Sequence, residues 1–144
     1  MTILIDADGC PVVNLALKIA GKYSIPCIIL CDTSHVFEKP GAITITVSKG
    51  NDSVDFALVN MVHARDIVIT QDYGLAAMCL ARNAVPINQN GMVYTDENIG
   101  ALLQERHNSK KVRMAGGRMK GPTKRTPQQD EAFQNAFIKL LPSK

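Results

Sequence analysis

The stretch ILIDADGCP, at positions 3–11, decides the fold class, because a short apolar run in it ends at two carboxylates and a turn. The apolar run fits a buried strand, and Pro11 fits the first turn of a following helix, where no amide hydrogen is needed. In open sheets of parallel strands, ligands bind outside the carboxyl ends of the strands. The stretch therefore predicts a strand that presents Asp6 and Asp8 at a ligand-binding edge.

The alternation of short apolar runs with helical periodicity continues along the chain and predicts a parallel sheet with helices on both faces. Four or five strands are predicted, at residues 2–6, 27–31, 43–48, 67–70 and, as a short fifth, 85–88. Helices are predicted at residues 11–23, 52–63, 73–83, 95–106 and 127–141. We expect strand 1 at the centre of the sheet with strand 4 beside it, because that order brings their carboxyl ends to one crevice.

The length of 144 residues suits one domain with a tail. We expect an α/β domain over residues 1–108, a basic flexible loop over 109–126, and a C-terminal helix within 127–144 that packs back on the domain. No apolar run reaches the roughly 20 residues that span a bilayer. Together with an acidic pair near the amino terminus, this predicts a soluble cytoplasmic protein that does not contact membranes.

The four cysteines have no Cys-x-x-Cys spacing and are interpreted as thiols in a reducing compartment. Cys27 and Cys31 lie in an apolar run and are expected to be buried. Cys10 precedes a helix, but no histidine base adjoins it, so packing is favoured over a nucleophilic role. The sequence predicts no particular oligomeric state.

The charges are divided unevenly between the body and the tail. Residues 1–108 carry seven basic and eleven acidic side chains, whereas residues 109–144 carry nine basic and two acidic ones. A basic tail favours a polyanionic partner such as nucleic acid, because Lys and Arg neutralise phosphates. The alternative is a solvated loop without a partner. The side chains predicted to contact phosphates are Lys110, Lys111, Arg113, Arg118, Lys120, Lys124 and Arg125.

Three further acids stand where they could join Asp6 and Asp8. Asp72 follows the apolar run of strand 4, and Asp52 and Asp55 lie one helical turn apart at a helix start. Hard cations such as Mg²⁺ and Mn²⁺ prefer oxygen ligands, so these acids are candidate metal ligands. The alternative is that Asp72 and one of Asp6 and Asp8 are helix N-caps, a role that uses a single carboxylate. Asp52 would likewise be a cap, with Asp55 at the third position of the same helix.

Several motifs, in order along nearly the whole chain, together resemble the YaiI/YqxD family of bacterial proteins. They lie at positions 6–12, 52–55, 66–76, 94–99 and 121–122. This family is grouped with PIN-like domains, whose members include metal-dependent ribonucleases with clustered acidic residues. The resemblance implies a PIN-like three-layer fold, Mg²⁺ or Mn²⁺ as cofactor, and RNA in preference to DNA as partner.

Carried over to this chain, the PIN-like pattern would use Asp6 after strand 1, Asp52 or Asp55 on the middle helix, and Asp72 after strand 4. Asp8 would be a further ligand or an acid of the outer shell. The sequence departs from its relatives at positions 88–91, which are Asn-Gln-Asn-Gly where relatives tend to have Asn-Pro-Arg-Gly. A phosphate contact by that arginine is therefore not carried over.

Three functions fit these residues. The leading prediction is a metal-dependent nuclease with Asp6, Asp8 and Asp72 as catalytic acids, in which bound metal activates a water. The first alternative is a phosphatase, with Asp6 as nucleophile and Asp8 as general acid. The second is a module that binds nucleic acid or protein without catalysis. Phosphorylation of Asp6 would favour the phosphatase, and RNA binding without cleavage would favour the module.

Overall fold

One sheet of parallel strands forms the centre of the computed structural model, which describes residues 1–33, 38–50, 53–114 and 124–143, with the backbone alone at 106–114. The strands are β1 (Ile3–Asp6), β2 (Cys27–Asp32), β3 (Ala42–Val47), β4 (Ile67–Ile69) and β5 (Val85–Ile87). Their order across the sheet is β3-β2-β1-β4-β5, with every neighbouring pair parallel. The predicted central position of strand 1, with strand 4 beside it, is confirmed.

The helices are α1 (Val13–Lys22), α2 (Ser53–Met61), α3 (Tyr73–Ala81), α4 (Asp96–Met114) and α5 (Pro127–Leu140). Two predicted details were wrong. Helix α1 begins after Pro11, which lies in the preceding turn, and its N-cap is Val12. Helix α4 continues past the predicted end at Arg106 to Met114, because no Gly or Pro interrupts residues 107–114. The basic stretch predicted as loop therefore begins on a helix.

The inner strands β1, β2 and β4 are buried on both faces, as expected for parallel strands covered by helices. One face packs Ile3 and Ile5 of β1 against α1 and α5, in a cluster that contains Phe133 and Phe137. The other face packs Leu4 of β1 against α2 and α3. Alternate residues of β1 thus pack into two cores, one on each face of the sheet. This is the three-layer α/β arrangement that was predicted. Among the described residues, no helix has the length and hydropathy needed to cross a membrane.

Helix α5 docks on the sheet as predicted, and its start is well defined. The Thr126 hydroxyl accepts from the amide of Gln129, whose side chain accepts in return from the amide of Thr126. The rings of Phe133 and Phe137 stack with centroids 5.1 Å apart, and both side chains are fully buried. Burying an aromatic side chain of this size contributes about 2 to 3 kcal/mol, so α5 belongs to the core.

The turn at positions 88–91 meets α5 so closely that only glycine fits at its end. Gly91 has φ +90°, and a β-carbon there would lie 2.5 Å from the carbonyl oxygen of Ala132. The side chain of Asn88 accepts from the amides of Asn90 and Met92, which shapes the turn from within. The turn and α5 therefore form one unit beside the carboxyl end of β5.

We expect Gly91→Ala to lower the free energy of unfolding by about 3 kcal/mol or more, because backbone strain and a clash with α5 add together. Gly41→Ala is the matched control: Gly41 has φ +83° with no neighbour within 4 Å of an added β-carbon, so only the conformational cost of about 1 kcal/mol applies. Urea denaturation measures both. Equal losses in the two variants would contradict the close contact with α5.

Candidate functional site

An open crevice of about 500 Å³ lies at the carboxyl ends of β1 and β4. The chain crosses there from one side of β1 to the other, since β2 and β3 lie on one side and β4 and β5 on the opposite side. This change of direction separates the connections that follow the two strands and leaves a gap between them. The crevice is lined by Asp6, Asp8, Gly9, Gln71, Asp72 and Tyr73.

Asp6 is the last residue of β1, and a buried hydroxyl holds its side chain. The Thr70 hydroxyl donates to Asp6 Oδ2 over 2.8 Å and accepts from the amide of Asp72 over 3.0 Å. Thr70 is only 1% exposed, and its carbonyl oxygen accepts from the hydroxyl of Tyr94 at 3.1 Å. Thr70 therefore fixes the carboxylate at the end of β1 relative to the backbone that follows β4.

The carboxyl group of Asp6 is in an environment that disfavours its charge. The pKa of Asp6 is raised from 3.8 to about 6, chiefly by burial and also by the nearby charges of Asp72 and Asp8, against the opposing effect of the Thr70 hydrogen bond. The crevice thus concentrates negative charge where water is partly excluded. A bound cation would relieve this repulsion, because it stabilises the ionised form of Asp6.

Asp8 is tied to the neighbouring strand. Its Oδ2 accepts from the amide of Asp32 at the end of β2, over 3.0 Å. The loop after Asp8 is held by Gln71, whose side-chain amide donates to the carbonyl oxygen of Gly9 over 2.8 Å. The alternative in which Asp6 or Asp8 caps α1 is wrong, since the N-cap Val12 has no side-chain hydrogen bond to the helix.

Asp72 caps a helix and also lines the crevice. Its Oδ1 accepts from the amide of Leu75 over 3.1 Å, so it caps α3, and the residue also lines the crevice. Asp55 lies in the first turn of α2 and does not line the crevice, whereas Asp52 lies outside the described residues. Within the described part of the chain, no three His, Cys, Asp or Glu side chains form a group that could hold a metal ion.

The basic side chains predicted to contact phosphates differ in how far the structure describes them. Lys124 is exposed. Lys110, Lys111 and Arg113 lie on the last part of α4, where the backbone alone is described. Arg118 and Lys120 fall outside the described residues.

Arg125 is held in a structural contact. Its Nε donates to Asp130 over 2.7 Å, and its two terminal nitrogens donate to the side chain of Asn90 over 2.8 Å and to the carbonyl oxygen of Gln89 over 2.6 Å. The guanidinium group thus joins the start of α5 to the turn at 88–91. This contact uses three of the five N–H donors of the guanidinium group, so fewer remain for a phosphate.

Three residues of the site were not predicted from the sequence: Thr70, Gln71 and Tyr94. Thr70 was visible as the one hydroxyl in an apolar run, but its bond to Asp6 depends on the register between strands. Asp66 lies at the opposite end of β4, away from the crevice, where it accepts from the amides of Thr2 and His63. Burial and the charge of Asp6 raise the pKa of the Cys10 thiol, which agrees with packing instead of nucleophilic attack.

We expect Asp6→Asn to stabilise the metal-free protein at neutral pH, because the folded state holds the Asp6 proton more tightly than the unfolded state. The folded pKa is about 6 against 3.8 in water, so ionisation of Asp6 lowers stability as the pH rises from about 4 to about 6. The variant should therefore match wild type near pH 4 and exceed it above pH 6, by on the order of 2 kcal/mol.

Denaturation in the presence of EDTA across this pH range measures the difference. Glu97→Gln, at an exposed position in the first turn of α4, is the control and should show no comparable gain. A difference between Asp6→Asn and wild type that does not change with pH would contradict the buried, crowded carboxyl group.

A second pair of variants distinguishes the effect of losing a positive charge from the effect of losing hydrogen bonds in the C-terminal segment. Arg125→Gln and Lys124→Gln each remove one positive charge, but only Arg125 has described hydrogen bonds to the turn and to α5. We expect Arg125→Gln to lower the free energy of unfolding by about 2 kcal/mol and Lys124→Gln to change it by less than about 0.5 kcal/mol. Thermal melting compares them directly. Similar small effects in both would contradict the structural role of Arg125.

Comparison with known proteins agrees with the motifs. A family model described as "Uncharacterized BCR, YaiI/YqxD family" matches residues 4–143. The UPF0178 protein of Exiguobacterium sibiricum is 53% identical over 144 residues, which cover 100% of this chain and 99% of that protein. The UPF0178 protein of Ruminiclostridium cellulolyticum is 51% identical over 98% of this chain and 92% of its own length. The chain therefore belongs to the YaiI/YqxD family, as its motifs indicated.

Proposed function

We propose that the protein is a metal-dependent phosphodiesterase that cleaves RNA in the crevice between β1 and β4. The observation that carries this proposal is the convergence of Asp6, Asp8 and Asp72 on one crevice, where burial and like charges raise the pKa of Asp6. Structural ion pairs also perturb pKa values, but here the neighbours have the same sign. Such an arrangement is typical of a site that binds a cation.

The donors in the crevice fit Mg²⁺ or Mn²⁺, since they are carboxylate oxygens. Magnesium usually keeps several waters and is held by only one or two carboxylates together with substrate phosphate. The described side chains, which form no group of three ligands, suit this mode of binding. Asp6 would be the direct ligand, with Asp8 and Asp72 acting directly or through water. When bound, the cation would supply an activated water and neutralise charge on the phosphate.

The residues of the chain itself would position these groups. Thr70 holds Asp6 through its hydroxyl, and Gln71 holds the loop that carries Asp8 through the carbonyl of Gly9. The cap on α3 fixes Asp72, because the amide of Leu75 binds its Oδ1. This support keeps the acids in place against their mutual repulsion, as a preorganised site requires.

A polynucleotide suits the crevice for two reasons. The crevice is open, so a long substrate can cross it, and the side chain of Tyr73 in its wall offers a surface for a ribose or base. The ring of Tyr73 is itself supported edge-on by Tyr94, with centroids 6.0 Å apart. The basic excess of residues 109–144 would bind the phosphate backbone outside the acidic crevice.

The proposal predicts that changes in the acidic crevice reduce cleavage, whereas changes in the basic segment reduce binding. Asp6→Asn should reduce cleavage of single-stranded RNA with Mn²⁺ at least about 100-fold and leave binding largely intact, since the phosphate grip remains. Joint replacement of Lys110, Lys111, Arg113 and Lys124 by Gln should weaken binding and lower its salt slope by at most about three. Arg125 is left unchanged in this variant because it supports the fold.

RNA binding across a salt series and gel assays of cleavage provide both readouts. Glu97→Gln is the control for loss of one carboxylate outside the crevice, and it should bind and cleave as wild type does. Equal loss of binding in the two main variants would contradict the separate roles. If wild type binds RNA but cleaves none with either metal, the protein is a binding module, and if Asp6 becomes phosphorylated by a phosphate ester, it is a phosphatase.

A further inference from the structure

The crevice contains one carboxamide beside its three carboxylates. The residues that line it are three acids, a glycine, a tyrosine and Gln71. Gln71 lies between Thr70, whose hydroxyl binds Asp6, and Asp72, which caps α3, so its backbone is fixed on both sides. Its exposed side chain reaches from the end of β4 to the loop after β1, where Nε2 donates to the carbonyl oxygen of Gly9 over 2.8 Å.

The bond to Gly9 determines which way the carboxamide points. A carbonyl oxygen accepts hydrogen bonds and cannot donate them, so the nitrogen of Gln71 must face Gly9 and the oxygen, Oε1, must lie on the other side of the group. Among the described residues, no donor binds Oε1, and the side chain is exposed. The crevice therefore holds an accessible hydrogen-bond acceptor that is uncharged and fixed in orientation.

An uncharged acceptor suits a sugar hydroxyl better than a phosphate. Phosphate oxygens, like the ring and ester oxygens of the sugar, only accept hydrogen bonds and would gain nothing from Oε1. The donor of an RNA backbone is the ribose 2′-hydroxyl, which DNA lacks. It lies on the carbon next to the one that bears the 3′ oxygen, so it is close to the phosphodiester. Base edges also carry donors, but these differ from base to base.

We propose that Gln71 selects RNA over DNA by accepting a hydrogen bond from the 2′-hydroxyl of a nucleotide whose phosphate lies in the crevice. This role of Gln71 rests on the proposed phosphodiesterase function, in which the three acids face the cation directly or through water. The hydroxyl of Tyr73 is the other uncharged polar side-chain group among the lining residues. Within the described part of the chain, no hydrogen bond fixes its direction, so it is less preorganised than Oε1.

The preference should be moderate because Gln71 is exposed. When a sugar without the hydroxyl occupies the crevice, water can bind Oε1 in its place. A hydrogen bond of this kind changes affinity by about 3- to 10-fold. An enclosed site that leaves a buried polar group unpaired would reject the wrong substrate by about 10⁴-fold.

A double-mutant cycle between the protein and the RNA measures the contact. Binding is measured in Asp6→Asn, so that the RNA stays intact, for a single-stranded RNA and for the same sequence with fluorine at every 2′ position. Fluorine keeps a ribose-like sugar pucker but cannot donate. Asp6→Asn should bind the RNA about 3- to 10-fold more tightly than the fluorinated strand. Adding Gln71→Met should remove this preference, whereas adding Tyr73→Phe should retain it.

A further variant distinguishes loss of the acceptor from loss of the bond to Gly9. Gln71→Lys retains a donor for the carbonyl of Gly9 but has no acceptor, so it should bind both strands more tightly and still lose the preference. Equal binding of the two strands by Asp6→Asn would overturn the role of Gln71. A preference that survives in both Gln71 variants, or that Tyr73→Phe removes, would overturn it as well. Failure to bind either strand would overturn the proposed function itself, and the role of Gln71 with it.

Discussion

The pairing of β1 with β4 is the constraint on which the site depends. Ile5 pairs with Ile69 in a parallel register, so the next residue on each strand is Asp6 on one and Thr70 on the other. The hydrogen bond between these two side chains follows from this register. A shift by one residue would turn Thr70 to the other face of the sheet and leave a buried hydroxyl without its acceptor. Core packing and site geometry are thus set by the same few backbone contacts.

The crevice concentrates charges that oppose folding, and specific backbone contacts hold them in place. Asp8 is held by the amide of Asp32, and Asp72 is held by the amide of Leu75. Each contact contributes about 1 to 3 kcal/mol as a hydrogen bond to a charged group, which offsets part of the cost of bringing like charges together. A local conflict of this kind is typical of functional sites, where stability is given up for reactivity.

The fold could be predicted from the sequence because buried residues are apolar and recur with the period of a strand or a helix. Short apolar runs followed by helical patterns predicted all the observed strands and helices, and the acids at strand ends predicted that Asp6 and Asp72 share an edge. Partners of individual side chains were not predictable in this way. The bonds of Arg125 to the turn at 88–91 join segments far apart in sequence, and charge alone made Arg125 resemble a phosphate contact. The absence of Asp55 from the crevice likewise depends on where α2 packs.

The position of α5 has a consequence for the order of folding. The core beneath α2 and α3 joins strands and helices that are close in sequence, apart from the central β1. The opposite core needs Phe133 and Phe137 to pack beside Ile3 and Ile5, which closes a loop of almost the whole chain. Contacts this distant in sequence form slowly, because chain entropy is lost before they contribute. The part of this face that α5 covers should therefore stay exposed to chaperones and to aggregation until α5 packs.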